Sequence, residues 1–200
     1  MARDENLPFE IGSTYFGGEN IDQNEGQHLE GMEFWVEDDD ASVGTIGAQP
    51  ARSGRKRRLR IVRNMNATAL QACQIARLKD DGTSVRVLNG QVMGLCSSLA
   101  HKGYPVDEYL GSDGCKQYDL CYVVVDGLAK VRTDSAGDTN IPLGALVIPG
   151  STTAGRVVEA DLTVTGANLF NTLINGIGLA AEAVNATNAF FVVDVNGHKR

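Results

Sequence analysis

The amino-acid sequence predicts an all-β protein: a small β-barrel or β-sandwich body with an extended N-terminal arm and a glycine-rich insertion. Three observations point there. Short segments rich in Val, Ile and Leu recur from residue 59 onward, each closed by Gly, Asn, Asp or Pro. None of them sustains the 3.6-residue period of a long amphipathic helix. The first fifty residues differ in kind, with twelve acids against Arg3 and apolar residues only in small clusters.

Residues 1–57 read as an extended acidic arm ending in a basic run, and residues 58–200 as the β-rich body. The arm's anchors are Phe9-Ile11, Tyr15-Phe16 and Phe34-Trp35-Val36. They are expected to dock on the body of the same chain or on another subunit. In the body, Leu59–Arg63 is a β-branched strand, and Gln74–Leu78 alternates polar and apolar residues, which puts one face on a core. Asp80-Asp81-Gly82 is a tight-turn signal before Ser84–Val87, so these two segments read as a hairpin. Residues 89–119 form an irregular insertion, interrupted by Gly90, Gly94, Gly103, Gly111 and Gly114, with a short helix near Pro105–Leu110.

Leu120–Val125 is the strongest strand, a nearly unbroken apolar run that implies burial on both faces. Asp126-Gly127 interrupts it, giving either a hairpin or a strand kinked at Gly127. Ala145–Ile148, Gly155–Ala160 and Phe190–Val195 are further strands. Ile177–Val184 could be helix or strand; the glycines Gly176 and Gly178 and its short length favour strand.

Charge is the most informative property. Between Arg52 and Arg63 there are seven cations and no anion, inside a chain of net charge −7. Such a reversal must be matched by a nucleic acid, an acidic protein surface, or the chain's own acidic segment. The run holds no aromatic residue for base stacking, and its second half alternates as a strand. Arg58, Arg60 and Val62 share one face, and Leu59, Ile61 and Arg63 the other. A cationic edge for protein contact is the expected reading, with Arg55, Lys56, Arg57, Arg58, Trp35 and Phe34 as interaction residues. Reversing the charge of Arg55 and Arg57 together is expected to leave the body folded.

No catalytic signature emerges. Pro149–Gly155 lacks the G-x-S-x-G elbow and no G-K-[ST] phosphate loop is present. His101 has only Cys96 and Asp107 in sequence range as partners, and nothing in the sequence orients them. Asp38-Asp39-Asp40 lacks the spaced pattern of a calcium loop. Cys73, Cys96, Cys115 and Cys121 lack C-x-x-C spacing and read as free buried thiols. No window reaches a membrane span and the N-terminus lacks an apolar signal centre, so synthesis in a cytoplasm is expected. No cofactor, metal or membrane partner is expected.

One pattern covers roughly the last 80 residues: Tyr122–Val131, Gly137-Asp138, Leu143–Val147, Ala154–Val158, Gly176–Ala180 and the closing strand Phe190–Val195. It resembles the bacteriophage head decoration, or capsid cement, proteins. The resemblance implies a β-tulip-like body, with Gly127, Gly144 and Gly155 at turns or kinks and Ala129 and Val131 in the core. It implies no catalytic residue. It further implies a virion protein on the capsid exterior, made in the host cytoplasm and commonly a homotrimer, whose partner is the major capsid protein. In that picture 58–200 is the capsid-binding domain. The alternatives are a nucleic-acid-binding module using residues 52–63, and a head-fibre or tail component built on the same β domain.

Overall fold

A computed structural model describes residues 7–15, 27–38, 55–78, 91–97, 99, 101–135, 140–163 and 165–196. In chain order its elements are β1 (Glu33–Asp38), β2 (Arg55–Asn64), β3 (Ile75–Leu78), β4 (Gln91–Leu95), β5 (Gly103–Pro105), β6 (Leu120–Arg132), β7 (Asn140–Ile141), β8 (Leu146–Pro149), β9 (Val157–Glu159), α1 (Ala167–Asn175), β10 (Gly178–Ala180), β11 (Val184–Asn185) and β12 (Phe190–Val195). The chain is all-β, with one α-helix among the described residues.

Ten strands form one sheet in the order β5-β3-β4-β2-β6-β12-β10-β8-β9, with β1 also on β2. β7 and β11 form a separate pair. Among the described residues this ten-stranded sheet does not close into a barrel. A bridge from Val106 to Val123 ties the β5 end back to β6, and one from Thr133 to Val157 ties β9 to the residue after β6.

β6 organises the sheet. Its first half pairs with β2 and its second half with β12, both antiparallel. Leu120, Tyr122 and Val124 enter the larger core cluster, whereas Cys121, Val123 and Val125 enter a second one. The unbroken apolar run is therefore buried on both faces, as the sequence predicts. At Gly127 (φ +92°) the strand continues with a kink, and the alternation changes phase so that Ala129 and Val131 lie in the larger cluster. A β-carbon at residue 127 would stand 2.8 Å from the Lys56 carbonyl oxygen and 2.9 Å from Arg57 Cα. That crowding, with the positive φ, reserves the position for glycine. Gly144 and Gly155 also have positive φ.

The 89–119 stretch is less irregular than its glycines suggest. β4 and β5 flank β3, and Val92, Val106, Leu110 and Cys115 fill the second cluster beneath β6. Pro105–Leu110 is not helical: it ends β5 and passes into a bridge and a turn. The backbone there is occupied by cross-chain bonds, with Val106 N–H donating to Gln74 O and Asp107 N–H to Tyr122 O. The expected turn and strand at 80–87 lie outside the described residues.

The described parts of the first fifty-seven residues pack on the same chain. Leu7, Phe9 and Ile11 cover the larger cluster. The Phe9 ring stacks on Tyr122 at 4.5 Å, and Tyr122 Oη donates to the Phe9 carbonyl at 2.8 Å. Residues 33–38 are a strand of the sheet rather than an arm, and β2 begins ahead of the expected 57/58 division.

At the far end of β6, Asp134 clamps the loop between β8 and β9. Its carboxylate accepts from the N–H groups of Ser135, Thr152 and Thr153 at 2.6, 3.1 and 3.2 Å. Burial alone would push this carboxyl up, but the N–H donors outweigh it and hold it below the usual range. The clamp is therefore present above the ordinary carboxylate pKa and lost as pH falls through the depressed value. Asp134→Ala should cost roughly 2–3 kcal/mol, read as a shift of the urea midpoint at constant slope; an unchanged midpoint would refute the clamp.

Candidate functional site

The basic run folds into β2, and alternation along that strand sorts its cations. Arg57, Leu59, Ile61 and Arg63 are all buried, while Arg58 and Arg60 are partly exposed and Lys56 is exposed. The face assignment made from sequence holds, except that Val62 is also buried, in the second cluster. Arg55 begins the strand opposite Asp38.

Each described arginine from Arg57 to Arg63 meets an acid of its own chain. Arg57 Nη1 lies 3.3 Å from Asp107 Oδ1 and 3.8 Å from Glu108 Oε1, and its guanidinium sits 4.8 Å above the Tyr109 ring. Burial raises the Asp107 carboxyl to about 6, against the pull of Arg57 and with the push of Glu108. Arg63 pairs with Glu30 and donates from Nη1 to the Tyr118 carbonyl at 2.7 Å. Arg58 reaches Glu33 Oε2 at 3.2 Å, and Arg60 pairs with the other oxygen of the same carboxylate. The run is thus matched largely from within, by acids of the N-terminal segment and of the turn at 107–108.

Register explains the outer face. β1 runs antiparallel to β2 with Glu33 opposite Arg60 and Trp35 opposite Arg58. Side chains alternate along β1, so Phe34 and Val36 turn onto the larger cluster while Glu33 and Trp35 stay outside. Trp35 is 52% exposed, with the Arg58 guanidinium 5.6 Å from its ring. Arg60 and Lys102 lie 5.8 and 5.6 Å from the Tyr104 ring. Three cations, one carboxylate and two aromatic rings therefore share this face. The run itself holds no aromatic; pairing with β1 and the fold of β5 bring two beside it.

Of the sequence-predicted interaction residues, Trp35 and Arg58 meet on this surface, and Lys56 is exposed elsewhere on the strand. Phe34 is partly buried against the core. Arg57 is 1% exposed and faces inward. Reversing its charge cannot leave the body untouched, because Asp107 and Glu108 would then face a third carboxylate inside the protein. Lys102 and Tyr104 were missed, since nothing in residues 89–119 signals that β5 approaches β2's outer face.

One cavity of about 260 Å³ is lined by Ala72, Cys73, Glu108, Tyr109, Lys130 and Phe190. Burial, reinforced by Glu108, pushes the Cys73 thiol up to about 12, so it is not a thiolate nucleophile near neutral pH. The Cys96 thiol donates to the His101 carbonyl at 3.6 Å, while Asp107 is engaged with Arg57. All four cysteines are free and buried. Among the described residues no three His, Cys, Asp or Glu side chains gather as a metal site, and no helix is long and apolar enough to cross a membrane. Compared with known proteins, the chain matches no family model and no curated relative.

Proposed function

We propose that this chain is an auxiliary structural protein of a phage head, which docks on the assembled shell and bridges its subunits. The observation that carries the reading is where the residues of the resemblance fall. Gly127, Gly144 and Gly155 have φ of +92°, +79° and +80°, and Ala129 and Val131 are buried between them. A spacing that serves a kinked, turn-rich β body supports a module that holds and bridges rather than one that turns over a substrate. A sandwich of β-tulip-like form, bent about Gly127, belongs to the same proposal, as do the exterior location and the homotrimer.

The docking face is the Trp35–Arg58–Arg60–Lys102 surface, and its partner is an acidic patch on the major capsid protein. An exposed Trp beside Arg has the composition of an interface anchor. Binding the shell and not its dissociated subunits stabilises the shell by mass action, and many copies on one lattice act by avidity. The nucleic-acid reading loses ground because Arg57 and Arg63 are buried, which leaves fewer cations of the run to meet phosphates.

The test uses heads of the encoding phage that lack this protein. Purified chain should bind them and raise their melting temperature. Trp35→Ala with Arg58→Ala should reduce occupancy at least tenfold while costing the isolated chain no more than about 1 kcal/mol. Failure of the unaltered protein to bind heads sinks the function; unchanged occupancy of the double variant sinks the face. Oligonucleotide binding that weakens steeply with salt would favour the nucleic-acid alternative.

A further inference from the structure

Beyond its kink, β6 carries a second group of cations. Lys130 and Arg132 alternate with the core residues Ala129 and Val131, so both turn away from the larger cluster. Register sets Phe190 of β12 opposite Arg132 on that same face. The Phe190 ring is 51% exposed, with Lys130 Nζ 5.2 Å and Arg132 Cζ 5.1 Å from its centre. In β2 the arginines from Arg57 to Arg63 each meet a carboxylate. Among the described residues Lys130 and Arg132 meet none, although the chain as a whole carries −7.

Lys130 and Phe190 also line the cavity of about 260 Å³, together with Ala72, Cys73, Glu108 and Tyr109. Of these lining residues only Glu108 is an acid, and Arg57 stands 3.8 Å from its carboxylate. Cys73 is a neutral thiol near neutral pH, because burial pushes it up to about 12. The charge left without a counterpart is therefore the Lys130 ammonium. The backbone beside the cavity is strained as well. Gln74 N–H donates to the Gln71 carbonyl at 3.3 Å, and Cys73, third in that turn, has φ +62°. Glycine or asparagine ordinarily fills such a position. A cysteine held there, on the wall of a cavity, is the kind of outlier that gathers at ligand clamps.

We propose that this cavity binds a small aromatic anion, a single ring bearing one carboxylate, with its ring against Phe190 and Tyr109 and its carboxylate on Lys130. The inference does not depend on the phage-head reading. Size limits the ligand: ligand pockets usually hold roughly 300–1,000 Å³, and this one falls just below, which suits one ring and excludes a nucleotide. Two aromatic side chains offer faces and edges to a flat apolar body. One lining cation suits a single negative charge, whereas a phosphate calls for a guanidinium fork or several donors. Arg132, beside the same ring, adds to the attraction. A cationic ligand would meet Lys130 and Arg132 as like charges, with the Glu108 carboxylate already engaged by Arg57.

Benzoate is the probe. Titrated into the full chain and followed by amide NMR shifts, it should bind with a dissociation constant below about 1 mM, with the largest shifts at Cys73, Lys130 and Phe190. Benzylamine, which has the ring and the opposite charge, and acetate, which has the charge and no ring, should each bind at least tenfold more weakly. Lys130→Gln should weaken benzoate at least tenfold with an unchanged thermal melt. Ala72→Leu keeps the cation and fills the cavity, and should also abolish binding. No shift with benzoate at up to about 10 mM would overturn the proposal. So would equal affinity for benzylamine or acetate, or a Lys130→Gln or Ala72→Leu variant that is folded and binds like the unaltered chain. Shifts confined to the Trp35–Arg58–Arg60–Lys102 face would place the anion elsewhere and overturn it as well.

Discussion

Arg57→Ala should destabilise the fold by roughly 3–5 kcal/mol. The substitution removes the guanidinium that stands 3.3 Å from Asp107 and 3.8 Å from Glu108, leaving two inward carboxyls without their counter-charge. It also removes the cation from above the Tyr109 ring. In a chain of this size, about 2–4 °C accompany each kcal/mol, so the melting temperature should fall by roughly 6–20 °C. Arg58→Ala is the control. Its neighbouring guanidinium also meets a carboxylate, but both side chains are about a third exposed, so the pair is worth about 0–1 kcal/mol. Equal losses at the two positions would show that Arg57 is not the buried counter-ion of Asp107 and Glu108.

The same cluster sets a pH dependence. Asp107 is raised from 3.8 to about 6, first by burial. Below the lower value, folded and unfolded chains both carry the proton. Between the two values only the folded chain does, so stability falls as pH rises across this window, and the contribution is gone above about 6. Asp107→Asn removes the titration. The variant's melting temperature minus that of the unaltered chain should therefore climb between pH 4 and pH 6, and a flat difference would remove Asp107 from the account.

The second large effect is expected at Gly127. Gly127→Ala should cost roughly 2–5 kcal/mol, combining left-handed backbone strain with overpacking. The atoms a methyl group would meet are the Lys56 carbonyl at 2.8 Å and Arg57 Cα at 2.9 Å, both main chain. They cannot swing aside as a side-chain tip can, so β2 and β6 must separate where the strand kinks and where Arg57 enters the interior. Gly144 separates the two terms. Its φ is +79° but a β-carbon there meets nothing within 4 Å. Gly144→Ala should therefore cost only the strain, about 1–2 kcal/mol. Chemical denaturation of both variants makes the comparison; equal losses would mean that the close approach at Gly127 contributes nothing.

Strands that carry their own burial were legible. β6 and β12 are dense in β-branched and apolar residues, and Asn196-Gly197 closes β12. β4 and β5 were not legible, because five glycines break the period there and their backbone bonds go to β3, distant in sequence. α1 was not assigned either: it is short, holds three asparagines, and presents its apolar stripe to solvent.

The candidate site divides in the same way. A concentration of seven cations in an acidic chain is a property of composition, and so is the conclusion that something must neutralise it. Which acids do so is a matter of register and of contacts far apart in the chain. β1 sets Glu33 against Arg58 and Arg60, and a turn fifty residues downstream sets Asp107 and Glu108 against Arg57. Local pattern determined that the run would be a strand with two faces. Only the tertiary structure decided that Arg57 and Arg63 turn inward, because burial depends on what packs over a face and the run itself says nothing of that.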